Sequence, residues 1–501
     1  MARFFFYFVA CLLFFLRHRA PAEAASKAQL QQPDMTVAVY EHKPLGDSAH
    51  DGPLALMRKN TAVYRIAAQQ AALQHAQLIV FPEYGTYQTA KYFSRDTLLP
   101  YLQQLPVKWI PCQERDLIGS EIFLDLSCIA KTANITVIAN IGSVIRCNKT
   151  TDPGCPRDGR YQYNTNVIFD HHGHLLTFYH KVHLFGERHF DRPPLKPTTF
   201  SMDFGRIGVA TCFDLLFKEP AISLAEEGQI NVLVLPTYWF NRIPFLAMYE
   251  YAEAWAVRMK VFLLVANIHS PGTAHVGSGI FGPNGVVRYT YVTDIDSGGQ
   301  LVVGRIQRPA KVLISDLKAA GPYFATKTNR SRNNIVPRLG GFQTKTNGDL
   351  FSYVKLDFTA NTSTICQKGL CCHLTYKLTE ASKTAAKEES NGFFALGAFS
   401  GQHMENYTLC NEVCAVVRCR NMTHCGDGIA DGEYGFQQLR LQGTFSPETY
   451  RFPTVLLDQA ELAPSGTWKF DSAAGLALNS NVSANLLVFG IYGRCFDQDG
   501  A

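Results

Sequence analysis

The chain carries no internal repeat, no G-x-S-x-G pentapeptide and no HExxH signature, so neither the serine-hydrolase elbow nor the zinc-protease helix is available to it. The C-G-S-C-W stretch of papain-like proteases is missing as well. Charge is sparse and nearly balanced: 18% of residues are charged, and 47 Lys and Arg stand against 42 Asp and Glu for a formal net charge of +5. So small a surplus gives no footprint for nucleic acid. The carboxyl end, LLVFGIYGRCFDQDGA, has neither the long apolar tail nor the spacer of a lipid-anchor signal.

What is present begins with an address. Arg3, the apolar run FFFYFVACLLFFL and the small residues Ala20, Ala22, Ala24 and Ala25 make residues 1–25 a secretory signal, with cleavage expected between Ala22 and Ala25. The run is short for a bilayer span, although Arg17 and Arg19 behind it leave a retained anchor as the alternative. A secreted, extracellular protein with no transmembrane segment in the mature chain is expected.

An oxidising compartment makes paired thiols the default. Of the 14 cysteines, Cys11 goes with the signal and Cys212 is set aside as a nucleophile, and the even remainder suits a full disulfide set. Cys147 and Cys155 bracket a short loop and are one expected pair; the other pairings stay open. Asn134, Asn148, Asn329, Asn361, Asn406, Asn421 and Asn481 each begin an N-x-S/T triplet, and are glycosylation candidates.

At 501 residues the chain is too long for one core. From about Met35 to Arg305, strand-like runs such as MTVAVYEH, LIVFPE and ITVIANIG alternate with helical stretches, an α/β pattern. The predicted divisions are residues 33–315 for a catalytic domain, 316–350 for a polar linker or exposed excursion, and 351–501 for a smaller, disulfide-rich, mostly β domain.

Glu83 closes LIVFPE, Lys181 closes LLTFYHK and Cys212 closes RIGVATC. Groups at strand ends gather where layered sheets do chemistry. A thiol, an ammonium and a carboxylate suit acyl transfer from an amide: Cys212 as nucleophile, Glu83 as proton acceptor and donor, and Lys181 with the backbone N–H of Phe213 as oxyanion donors. Singly, each has an ordinary reading: an inert or bridged thiol, a helix cap, a solvated lysine. His171, His172 and His174 read as hairpin-turn residues rather than a metal site, and no metal or cofactor is expected.

VFPEYG, YHKVHLF and ATCFDLLF, in this order, resemble the Glu, Lys and Cys motifs of the nitrilase superfamily. KWIPC, GCPRDGRYQYNTNVIFD, TCFDLLFKEPA, GSGIF, QKGLCCHLTY and ALGAF resemble, more narrowly, its vanin (pantetheinase) and biotinidase branch. The resemblance runs from about Val37 to Gly493. It implies an αββα sandwich, carries the three catalytic roles onto Cys212, Glu83 and Lys181, and makes Glu187 a partner of Lys181. PTYWFN falls where the family has PTAWMN, so Tyr238, Trp239 and Phe240 are expected at the substrate pocket, with Tyr238 and Phe240 as departures. The implied partner is a small amide substrate: pantetheine first, biocytin second. A secreted binding glycoprotein without turnover is the alternative of another class.

Overall fold

Strand β1 (Met35–Glu41) is buried along nearly its whole length, as a strand covered on both faces must be. The computed structural model describes residues 34–87, 93–105, 112, 119–307, 341–357, 359–379, 392–404, 408–426, 435–479 and 486–500. The signal segment with Cys11, residues 316–340 of the expected linker, and Asn329, Asn406 and Asn481 lie outside the described residues.

Helix α1 (Pro53–Leu73) follows β1, then β2 (Leu78–Val80), β3 (Gln103–Gln104), helix α2 (Glu121–Ala133), β4 (Thr136–Arg146), β5 (Arg160–Phe169) and β6 (Leu175–His180). A second run supplies β7 (Thr198–Met202), β8 (Gly205–Val209), β9 (Val232–Pro236), helix α3 (Met248–Met259), β10 (Phe262–Ala266), β11 (Ser278–Gly282), β12 (Gly285–Thr290) and β13 (Gln300–Ile306). The first sheet is ordered β13-β1-β2-β4-β5-β6, with β3 also on β4; the second is ordered β12-β11-β10-β9-β8-β7. Each has a parallel centre, β1-β2-β4 and β8-β9-β10, flanked by antiparallel strands.

The two sheets face each other. Val37, Val39, Val80 and Ile138 of the first meet Val209, Val234 and Leu264 of the second in one apolar layer. On the outer face of the first sheet, Ile79, Phe81 and Val137 pack with Tyr64 of α1 and Phe123 of α2. The α1 stripe that does this, Leu56, Asn60, Tyr64, Ala67 and Ala71, recurs every three to four residues, and Pro53 sits in the first turn where its missing N–H costs nothing.

On the outer face of the second sheet lies α3, in which every residue but Arg258 is buried. The cause is a second cover. Leu263, Val265 and Phe281 of the second sheet and Phe452, Leu456 and Val488 of the carboxyl-terminal domain share one cluster with Trp255. Even the glutamates of α3 are spoken for: the Thr454 hydroxyl donates to Glu250, and the Val286 N–H donates to Glu253 at 3.0 Å.

The second domain is a pair of sheets built from β14 (Gly341–Thr346), β15 (Asp349–Lys355), β16 (Thr362–Gln367), β17 (Leu370–Leu378), β18 (Phe393–Met404), β19 (Thr408–Asn421), β20 (His424–Cys425), β21 (Phe436–Gly443), β22 (Tyr450–Leu457), β23 (Trp468–Asp471), β24 (Gly475–Leu478) and β25 (Leu486–Arg494). One is ordered β14-β15-β18-β19-β25-β22 with β20 on β19, the other β16-β17-β21-β24-β23. Residues 341–350, placed by composition in the linker, pair into the first of these as an edge hairpin. Asn347 and Gly348, both at positive φ, make its two-residue turn. A polar edge strand carries too few apolar residues to stand out from an exposed loop.

Among the described residues six disulfides form: Cys112–Cys128 and Cys147–Cys155 in the first domain, and Cys366–Cys371, Cys372–Cys414, Cys410–Cys495 and Cys419–Cys425 in the second. Among the described residues Cys212 alone is a free cysteine, and it is buried. Asn134, Asn148, Asn361 and Asn421 are exposed. No helix among the described residues is long and apolar enough to cross a membrane.

Because Trp255 is fully buried where the second sheet, α3 and the second domain meet, Trp255→Ala is expected to cost about 3–5 kcal/mol. A clear fall in the thermal midpoint checks this; a midpoint within one degree of the parent would contradict it.

Candidate active site

Glu83, Lys181 and Cys212 each stand one to three residues past the end of a strand, in the turn that follows. Two sharp bends help bring them together. After β2 the chain turns through Pro82, Glu83 and Tyr84, the last at φ 60. Gly85 completes the turn because a Cβ there would lie 2.0 Å from the Tyr64 hydroxyl. After β8, Cys212 itself takes φ 46, a left-handed backbone that a non-glycine residue adopts at a cost of about 1–3 kcal/mol.

Lys181 is the hub. Its Nζ lies 2.8 Å from Glu83 Oε1 and 2.7 Å from Glu187 Oε2, with all three side chains buried. Asn164 donates to Glu83 Oε1 at 2.7 Å and to Glu187 Oε1 at 2.8 Å, and the Tyr84 hydroxyl also donates to Glu187. The second oxygen of Glu83 accepts from the Tyr238 backbone N–H at 2.9 Å. Glu83 thus caps no helix, and Glu187 is no exposed loop acid.

Two carboxylates share one ammonium, and their environments separate them. Burial raises Glu83 above the ordinary carboxylate range, with Lys181 opposing and Glu187 reinforcing. Burial also works against ionised Glu187, but Lys181 and the donors around it hold Glu187 below its ordinary value. Burial would lower Lys181, yet Glu187 and Glu83 overcome that and hold it well above its usual value, as a fixed cation. Burial and the Glu83 charge push the Cys212 thiol up, against the pull of Lys181, so it rests as a neutral thiol.

Sequence reasoning passed over the residues that fix this geometry. Asn140 on β4 donates to Asn164 at 2.7 Å and to Asn166 at 2.9 Å, and accepts from the Tyr84 N–H at 3.0 Å. Asn166 reaches the second sheet, donating to Thr211 Oγ1 at 2.9 Å beside Cys212. Asp214, pushed up to about 7 by burial, accepts from the His183 and Thr211 N–H groups and the Tyr179 hydroxyl. The signal was visible: amides inside the apolar runs VIANIG and YNTNVIF have no place in a core unless they bond something.

Cys212 opens onto a cleft walled by Phe185, Phe213, Leu216, Tyr238, Trp239 and Phe240. All three expected pocket residues therefore line it. Trp239 is anchored by donating Nε1–H to the Leu246 carbonyl at 2.9 Å. His172 is exposed in the β5-β6 turn and His174 is partly so, and among the described residues no group of three or more His, Cys, Asp or Glu could hold a metal ion.

A two-sheet αββα core with such a site is the architecture of a carbon–nitrogen hydrolase, and residues 54–288 match the carbon-nitrogen hydrolase family. Residues 341–499 match the vanin C-terminal domain. The chain belongs to the vanin and biotinidase branch of the nitrilase superfamily. It is 36% identical over 512 residues to pantetheinase of Homo sapiens, covering 99% of this chain and 93% of that one. It is also 32% identical over 519 residues to biotinidase of Bos taurus, covering 95% of each. A crystal structure of an amidase from Nesterenkonia sp. is 20% identical, covers 56% of this chain and 92% of that one, and has a TM-score of 0.40.

The Glu83 charge raises the Cys212 thiol, so neutralising it must lower that thiol. Glu83→Gln is expected to shift the pH profile of Cys212 alkylation by iodoacetamide to lower pH, read by peptide mass spectrometry. An unchanged or upward-shifted profile would show that the two groups do not interact.

Proposed function

We propose that this carbon–nitrogen hydrolase is a secreted enzyme that cleaves a small linear amide through a thioester on Cys212, with pantetheine, giving pantothenate and cysteamine, as its first substrate. The observation that carries the reading is the buried Glu83–Lys181 pair beside a free thiol at the floor of an aromatic cleft. Near-full-length similarity to pantetheinases supports the substrate, and six disulfides with four exposed sequons support secretion.

In this reading the neutral Cys212 thiol gives its proton to Glu83 as sulfur attacks the amide carbonyl. Negative charge moves to the carbonyl oxygen, where Lys181 and the Phe213 N–H stabilise it. The carbon–nitrogen bond then breaks, Glu83 returns the proton to the departing amine, and the acyl group remains as a thioester. Water attacks the thioester as Glu83 takes its proton; the carbon–sulfur bond then breaks, Glu83 passes the proton to the Cys212 sulfur, and the acid leaves. A carboxyl raised by burial suits both directions of this transfer. Lys181, pinned between two carboxylates, serves as a fixed charge rather than a proton carrier.

Biocytin is the second substrate reading, favoured by the full-length similarity to biotinidase. Purified protein incubated with each compound should release pantothenate faster than biotin. Faster release of biotin would exchange the substrates, and no product from either would leave a binding glycoprotein as the better account. Cys212→Ala should abolish turnover, and Lys181→Ala should lower it by about 10²–10³; parental rates in either variant would contradict the assigned roles.

The pH dependence carries a sign. Glu83 must be ionised to accept the thiol proton, so activity falls as pH drops through its raised value. Glu187 raises Glu83 further, so Glu187→Gln should move the acid limb of kcat/KM to lower pH. A limb that stays put or moves up would remove Glu187 from that role.

A further inference from the structure

The cleft over Cys212 is closed on one side by the second domain. His403 of β18 and Leu409 of β19 line it together with Phe185 and Trp239. The two are direct partners in the β18-β19 register, which sets their side chains next to each other on one face of that sheet. Leu409 continues the apolar wall, whereas His403, like Arg242 of the first domain, interrupts it.

His403 is only 8% exposed, and its Nδ1 lies 2.8 Å from Oδ2 of Asp349, itself 7% exposed at the start of β15. In the neutral imidazole that bond selects the tautomer: Nδ1–H donates to the carboxylate, and Nε2 is left with its lone pair. No group among the described residues bonds Nε2. Nε2 is reachable from the cleft, so a bound molecule can take the place of water on it. Predominantly apolar clefts with a few placed polar groups owe their selectivity to those groups.

We infer that His403 is a specificity-determining residue contributed by the second domain, whose Nε2 accepts a hydrogen bond from a hydroxyl or ureido N–H carried on the substrate's acyl chain away from the scissile carbonyl. Asp349 is its positioning residue. The inference rests on the amidase reading above and adds to it the substrate class: amides of acids bearing a donor group, in preference to plain alkanoyl amides of equal length. It also gives the second domain a part in substrate choice, whereas the thiol, base and cation all come from the first.

The test uses the whole chain and two amides of the same amine, one with a hydroxylated acyl chain and one with those hydroxyls replaced by hydrogen. His403→Phe should lower kcat/KM for the hydroxylated amide about tenfold or more, mainly through KM, and leave the deoxy amide within about twofold. His403→Gln, which keeps an acceptor, should recover part of the loss, and Asp349→Asn should fall between. Should the thermal midpoint show that His403→Phe does not fold, His403→Ala, which also removes the acceptor, takes its place in the same comparison. Equal losses on both amides, or no loss on the hydroxylated one, would overturn the inference alone. Failure of the parent chain to cleave either amide would take down the amidase reading and this inference together.

Discussion

An ammonium group sealed inside a protein is costly unless it is met by opposite charge in good geometry, and this fold meets that of Lys181 with two carboxylates. Glu187 holds its charge the more firmly of the two, because Lys181, Tyr84, Asn164 and the Phe185 N–H all bond its oxygens. Glu83 is left as the acid raised by burial, and it is the one that neighbours the thiol. The opposite shifts of the two glutamates are thus a consequence of where the donors stand.

Holding that arrangement takes both sheets. Lys181 follows an edge strand of the first, Cys212 follows β8 of the second, and the Asn140–Asn164–Asn166 chain binds the turn after β2 to the strand before the thiol. A buried polar network of this kind works only when every member is satisfied, and then it fixes a single geometry. The second domain completes the structure from outside: it buries α3, and it supplies one wall of the cleft.

Much of this was legible in the sequence. Apolar runs at strand and helix periods mark out both sheets of the first domain, and an ionisable residue closing each of three such runs marks Glu83, Lys181 and Cys212. The even cysteine count, after Cys11 and Cys212 are set aside, agrees with the six bridges found. The sequence hides whatever depends on distant segments meeting. That Asn140, Asn164 and Asn166 converge, that α3 is buried on every side and that His403 reaches the cleft follow from crossovers and domain packing, which no local period encodes. The polar hairpin at 341–350 was hidden for a different reason, since an edge strand needs only one apolar face.

The central claim is that the amide's acyl group passes through Cys212. Rapid acid quenching during turnover, followed by mass spectrometry of the peptide containing Cys212, measures this directly. The account predicts a transient adduct on that cysteine equal in mass to the acyl portion of the substrate, absent from Cys212→Ala. Steady turnover with no adduct at any quench time, or an adduct of the same mass on another residue, would contradict it.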